Sequence, residues 1–304
     1  MKVLVVGATG VLGQRVVRGL LARGVSVRAM TRAPERAAAL RQCGAEVVPG
    51  DLIDGASLAR ACAGVDRVFA AAHGLLSRGR NRSEFVDGQG HRALIDAARA
   101  AAVQRFVYTS AQGASPDHPV DFFRTKFAVE QYLAGSGLAH VILRPTAFME
   151  WHVHELNGKG VLDKGIAQLI GPGTKKRNFV ATDDVAALAV RTLLDREPSE
   201  RLIAIGGPGN YSNNEVAALY ARLAGRPLRV RRLPAALAGW VSRLAAPLHP
   251  GVARILAIAA MPDDAFAETF DCSEFQRDHP HVPLTPLETF IQARVAEAAT
   301  TPVA

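Results

Sequence analysis

The chain has 304 residues, 49% of them apolar and 21% charged, a globular composition that excludes a disordered or fibrous protein. Its formal net charge is +8, but only six of the 36 basic residues are lysines and the arginines are spread along the chain. The densest cluster, Arg226, Arg229, Arg231 and Arg232, has no interleaved aromatics to stack on bases, so no nucleic-acid role is expected.

In chain order, the first 145 residues alternate short apolar runs with helical patterns, the signature of a doubly wound α/β fold with a parallel sheet. Expected strands are Val3–Val6, Ser26–Met30, Glu46–Pro49, Arg67–Ala70, Phe106–Ser110 and His140–Leu143. They are nearly all apolar rather than alternating, as strands covered on both faces are. Because residues 2–6 already read as a strand, no signal peptide is expected ahead of them. Expected helices are Val11–Arg23, Glu35–Cys43, Ser57–Cys62, Glu84–Ala102, Asp121–Gly135 and Asp183–Leu194, several closed by a glycine: Gly24, Gly44, Gly64 and Gly137.

After Pro145 the pattern loosens, and residues 146–173 read as long loops leading to a smaller C-terminal α/β substrate lobe. The expected division is a Rossmann-like domain over 1–150, rejoined by a strand and helix at about 178–205, a lobe over 151–296, and a frayed tail from Glu297. Ser212 and Glu215 form a capping box opening a helix through Leu223 that Gly225 stops. Arg229–Arg232 reads as a short strand. The apolar stretch Leu233–Met261 is interrupted by Arg243, Pro247, His249, Pro250 and Arg254, so no membrane span is expected. Cys43, Cys62 and Cys272 form no CxxC pair, which argues against disulfides and zinc and suits a reducing cytoplasm.

The strand Val3–Val6 runs into Gly7-Ala8-Thr9-Gly10-Val11-Leu12-Gly13 and then directly into a helix. Glycines there let the backbone come within hydrogen-bonding distance of a pyrophosphate, while the helix start offers unpaired N–H groups. The end of the second strand sets the choice of dinucleotide. An acid there would accept from a ribose 2′-hydroxyl; this chain has Thr31 and Arg32 and no acid before Glu35, which favours a 2′-phosphate and therefore NADP(H). Arg36 is a further donor within reach in sequence, and Arg28, inside the strand, is a weaker one.

These residues, with Gly50-Asp51-Leu52, Arg105–Ala111, Leu143–Glu150 and Val180–Ala186, resemble the NmrA-like proteins of the atypical short-chain dehydrogenase/reductase group over most of the chain. The resemblance implies a Rossmann domain with a parallel sheet of about seven strands and a C-terminal lobe over the nicotinamide. It also implies that Asp51 and Leu52 lie beside the adenine, that Ala70, Ala71 and Ala72 line the path to the nicotinamide, and that Pro145 supports the carboxamide end.

In catalytic members of that group a tyrosine and a lysine four residues later share a helix face; the lysine holds the nicotinamide ribose and the phenol moves the proton. A serine after the fifth strand orients the carbonyl. Here Ser110 and Lys126 occupy two of those places, but Phe122 stands where the tyrosine would be, and a phenyl ring moves no proton.

Three readings follow. The chain reduces an apolar conjugated carbonyl substrate such as a quinone or enone, whose anion needs little proton donation. Alternatively, Tyr108, His73, His152 or His154 replaces the donor, with His73, just after the fourth strand, the best placed. Or the chain is a non-catalytic dinucleotide sensor acting through protein partners. His152 and His154 would share one side of an extended loop, but no third metal ligand is evident. Phe122, Phe148, Met149, Trp151 and Trp240 are expected to wall an apolar pocket, along with Leu237, Val241, Leu244, Leu248 and Ile255. The alternatives for this stretch are the core of the lobe, a homodimer contact or a weak membrane contact.

Overall fold

The computed structural model describes residues 1–77, 79, 83–196, 201–261 and 268–300. It divides into two compact units, one of residues 1–144, 185–204 and 249–251, the other of 145–184, 205–248 and 252–304.

The first unit carries β1 (Lys2–Val6), α1 (Val11–Leu21), β2 (Ser26–Thr31), α2 (Ala38–Gln42), β3 (Glu46–Pro49), α3 (Gly55–Cys62) and β4 (Arg67–Ala70). These are followed by α4 (His91–Ala100), β5 (Arg105–Thr109), α5 (Asp121–Ala134) and β6 (His140–Pro145). The sheet has seven strands in the order β10-β6-β5-β4-β1-β2-β3, where β10 is Leu202–Ile205. The pairs β1–β2, β1–β4, β2–β3, β4–β5 and β5–β6 all run parallel. Strand order reverses between β1 and β4, so the crevice beyond their C-terminal ends is where a doubly wound sheet takes its ligand.

Val3, Leu4, Val5 and Val6 are at most 1% exposed, which is why β1 needs an unbroken apolar run. Gly24, Gly44, Gly64 and Gly137 all adopt positive φ, as the turns after their helices require. Ala102 does the same work after α4 at φ 54° with a Cβ in the way. Arg67 and Arg105, on neighbouring strands, donate to Leu193 O and Thr192 O, capping the last carbonyls of α7 (Thr182–Leu194).

Two differences from the sequence reading stand out. The helix expected over Glu84–Ala102 is a π-helical turn, Glu84–Gly90, running into α4. The stretch 146–173, expected as loops, contains β7 (Ala147–Phe148), a π-helix over Met149–Gly158, α6 (Lys159–Lys164) and β8 (Ile166–Ile170). The segment Met149–Gly158 winds with more than 3.6 residues per turn, so an α-helical template finds no match in it.

The second unit also holds β9 (Arg177–Val180), β11 (Asn210–Tyr211), α8 (Asn213–Ala224), β12 (Arg229–Leu233), α9 (Ala235–Ala245), α11 (Ser273–Asp278) and α12 (Leu287–Thr300); α10 (Pro250–Ala259) begins in the first unit's 249–251 segment. Its sheets are β11-β9-β7 and β12-β8. Thus β9 pairs within the lobe, and only α7 and β10 return to the main sheet. The capping box is present, with Glu215 N–H donating to Ser212 Oγ and Ser212 N–H to Glu215. The frayed tail expected from Glu297 is helical as far as Thr300, with Arg294 donating to Glu297 at 2.7 Å; residues 301–304 lie outside the described residues. No described helix is long and apolar enough to cross a membrane.

Candidate functional site

The glycine turn is wound as the expected phosphate loop requires. Gly7 has φ 87°, and a Cβ there would sit 2.7 Å from Ala72 N; a Cβ on Gly13 would sit 2.1 Å from Gly7 O. The turn is closed by Gly10 N–H donating to Gly7 O at 3.0 Å. Gly10 caps α1 with no side-chain hydrogen bond, so the first-turn N–H groups are left to a ligand. Thr9 and Val11 are exposed and Leu12 is buried beneath them. Ala71 N–H donates to Val6 O at 3.0 Å, which lays Ala71 and Ala72 against the turn at the point where strand order reverses.

Arg32 is exposed at the end of β2, next to Thr31, whose Oγ1 accepts from Ala33 N–H at 3.2 Å. Arg28 is committed elsewhere, to Glu46 and to the carbonyls of Ala61 and Ala63. The Asp51 carboxylate accepts from Ile53 N–H at 3.3 Å. Leu52 packs in the core, and a Cβ on Gly90 would come 2.8 Å from its own Cβ, so Gly90 lets the π turn approach. The uncapped helix start, the glycine cradle and the acid-free end of β2 together fit a dinucleotide bearing a 2′-phosphate.

Beside this turn lies a buried polar cluster of which the sequence reading found only part. Lys126 of α5 is 3% exposed, and its Nζ donates to Thr109 O at 3.1 Å. The ammonium forms a 3.4 Å ion pair with Asp87, which is fully buried and accepts Gly74 N–H at 2.9 Å. It also lies 4.9 Å from the centroid of the Tyr108 ring and 5.5 Å from that of Phe122. One turn further along α5, Glu130 takes a bidentate pair from Arg144 of β6, which fixes the helix and hence Lys126 on the sheet.

Burial alone would raise the Asp87 carboxyl, but Lys126, with His91 and His73, outweighs it and holds the pKa below the usual value. Burial pulls Lys126 down, with Asp87 opposing. His91 is pushed down to about 4 by burial and by the Lys126 charge, so it is neutral at pH 7; its Nδ1 meets Val86 O at 2.8 Å. Its ring meets Tyr108 edge-on at 5.2 Å between centroids. Tyr108 is fully buried, and burial raises its phenol well above the ordinary range, which makes it a poor proton donor.

His73 is an exposed residue, yet desolvation by the surrounding protein lowers its pKa against the pull of Asp87. The hydroxyls of Thr109 and Ser110 are buried with no hydrogen-bond partner among the described residues. An orphaned hydroxyl at the end of a central strand is what a bound carbonyl or ribose would satisfy. Phe122 is 7% exposed and lies against Lys126.

Asp87 and His91 were missed. Their signal was polar residues on a buried helical stripe, since Asp87, His91, Leu94, Ile95 and Ala98 recur at helical spacing and all are buried.

In the second unit, Pro145 is buried at the end of β6. Phe148 is half-buried, Trp151 is 38% exposed, and Met149, at 1%, belongs to the core around Phe179 and Tyr220. Trp240 is 64% exposed on α9. The Glu150 carboxylate accepts from Thr182 N–H and Oγ1, tying the π-helix to the start of α7. His152 and His154 lie on that π-helix rather than on an extended loop, so they do not share a side. His154 Nδ1 meets Tyr220 Oη at 3.0 Å, whereas His152 is pushed down to about 3 by burial and by Arg177. Among the described residues no three His, Cys, Asp or Glu side chains gather to hold a metal.

The chain is similar to several known proteins. It is 30% identical over 238 residues to the photosystem II assembly factor Ycf39 of Cyanophora paradoxa, covering 78% of this chain and 73% of the relative. It is 32% identical over 228 residues to an NAD(P)H azoreductase of Xenophilus azovorans, covering 75% of each. Its fold matches the NADPH-dependent quinone oxidoreductase QOR2 of Escherichia coli, solved with NADPH, at TM-score 0.78 and 25% identity over 97% of this chain and 99% of that one. The family model described as the NmrA-like family matches residues 1–251, and with this sheet and this glycine turn in place, the chain belongs to the NmrA-like family.

Proposed function

We propose that the chain is an NADP(H)-dependent oxidoreductase acting on an apolar, conjugated carbonyl substrate of quinone or enone type. The observation that carries this reading is a retained Ser110 and buried Lys126 beside Phe122, which has no hydroxyl to give. The azoreductase and quinone oxidoreductase among the similar proteins support it.

When bound, the dinucleotide supplies the hydride. The backbone of Gly7–Gly13 would take the pyrophosphate, Arg32 with Thr31 the 2′-phosphate, and Asp51 and Leu52 the adenine. Ala71 and Ala72 would border the nicotinamide end, and Lys126 would hold the ribose hydroxyls. Ser110 turns its unpartnered hydroxyl to the substrate oxygen, and Phe122 beside Lys126 offers apolar surface to a planar ring.

A quinone or enone leaves a delocalised anion that water or a weak acid protonates, whereas a simple ketone leaves an alkoxide that needs a positioned donor. His73 is the candidate group for passing such a proton, because it is an exposed imidazole just after β4.

One observation favours a second reading, a dinucleotide sensor working through protein partners: the similar Ycf39 protein is described as an assembly factor. NADPH oxidation measured against quinones, enones and azo dyes separates the two. Turnover with a conjugated acceptor and none with simple ketones supports the reductase, and Phe122→Tyr then gains ketone reduction. Tight NADPH binding without turnover on any acceptor overturns it in favour of the sensor.

A further inference from the structure

Helix α9 is inverted. Its small residues face inward, with Ala238 fully buried and Ser242 donating its hydroxyl to Ala253 O at 2.8 Å. Its large apolar residues face outward: Leu237 is 49% exposed, Trp240 64%, Val241 41% and Leu244 72%. These four stand at i, i+3, i+4 and i+7, so they form one continuous stripe. Leu248, 80% exposed, follows just beyond the helix end. An ordinary surface helix turns such a stripe to the core, and soluble monomers rarely expose a contiguous apolar patch of this kind.

The charge of the stretch that carries the stripe says what covers it. Residues 216–262 contain seven arginines and not one carboxylate in sequence, and one of the seven, Arg222, is neutralised by Glu288 of α12 at 3.0 Å. Arg229, Arg231 and Arg232 are exposed on β12, immediately before α9, and Arg232 spends its guanidinium on the carbonyl of Pro172 and the side chain of Asn214. Arg243 lies on α9 itself, its guanidinium 5.9 Å from the Trp240 ring centroid.

We propose that this face of the second unit seats on an anionic lipid bilayer surface, lying in the interface rather than spanning it. The stripe sinks into the boundary between headgroups and acyl chains, Trp240 sits at headgroup level, and the arginines meet lipid phosphates while their stems stay in the apolar zone. A second copy of the chain is the poorer occupant, because a two-fold contact would set one arginine-rich patch against another. The inference does not depend on the proposed reductase activity.

The test is co-sedimentation of the full chain with vesicles of phosphatidylcholine and phosphatidylglycerol in equal parts, against vesicles of phosphatidylcholine alone. Binding to the mixed vesicles that weakens as salt is raised is expected. Leu244→Asp, and separately Arg229→Gln with Arg231→Gln, lower partitioning by ~10-fold or more. All these side chains are exposed, so thermal melting should leave the fold unchanged and the variants readable. In a Trp151→Phe background Trp240 is the only tryptophan, and its emission should shift to the blue and be quenched by brominated lipid. Absence of binding to the mixed vesicles at low salt, or binding that neither variant weakens, overturns the proposal. So does a concentration-dependent dimer that Leu244→Asp dissolves, since a second copy would then cover the stripe.

Discussion

Asp87→Asn isolates the ion pair at the centre of the first unit. Asparagine keeps an oxygen for Gly74 N–H but removes the charge that faces Lys126, which is 3% exposed and is left with only the Thr109 carbonyl at 3.1 Å. Stranding one partner of a buried pair costs ~3–5 kcal/mol. For a unit of this size that is a fall in melting temperature of ~6–20 °C.

The pH dependence has a definite sign. Lys126 is lowered in the fold from the ordinary 10.5, mainly by burial, and Asp87 is the first influence opposing that. With Asp87 neutralised, Lys126 drops further. The unfolded chain then holds the proton more tightly than the folded one, so the variant gains stability as pH climbs through alkaline values towards the unfolded lysine pKa. The wild type shows this less. The double variant Asp87→Asn, Lys126→Met removes the stranded charge and recovers much of the loss. Thermal melts across neutral and alkaline pH measure all of this. A single variant that melts with the wild type, or a double variant less stable than the single, refutes the pairing.

Ala102→Gly relieves a left-handed conformation at φ 54° and should stabilise the chain by ~1 kcal/mol, read from chemical denaturation. A neutral or negative effect would mean that the turn tolerates its Cβ. His91, neutral and held at about 4 in the fold, makes stability fall as pH drops from the unfolded imidazole value of 6.5 towards 4. Through linkage this group is worth roughly 3 kcal/mol across that window, and His91→Gln should flatten the acid limb of the melting profile by that amount. An unchanged acid limb would show that His91 does not titrate there.

What the sequence made legible follows local physics. Val3–Val6 and Phe106–Thr109 announce themselves because strands covered on both faces must be apolar throughout. Gly7 and Gly13 are legible because only glycine permits the close backbone approaches that the turn makes there. Lys126 and Phe122 were legible through the resemblance to the short-chain dehydrogenase/reductase group, whose catalytic tyrosine and lysine stand four residues apart on a helix. Asp87 was not, because its role depends on a long-range contact with Lys126 that no local pattern shows. The π-helix over Met149–Gly158 was not legible because no 3.6-residue pattern matches its winding, and it separates His152 from His154. Helix α9 was legible as apolar, but which face it buries is decided by small residues, Ala238 and Ser242, that a hydrophobic pattern overlooks.

Calorimetric titration of NADPH and NADH into the wild type and Arg32→Ala tests the site most directly. The wild type should bind NADPH the more tightly. The variant should lose ~1.5–3 kcal/mol of that binding, the worth of a charged hydrogen bond, while NADH binding is unchanged. Equal affinity of the wild type for both dinucleotides, an equal loss of both in the variant, or no heat from either would contradict the assignment of the glycine turn and Arg32 to a 2′-phosphorylated dinucleotide.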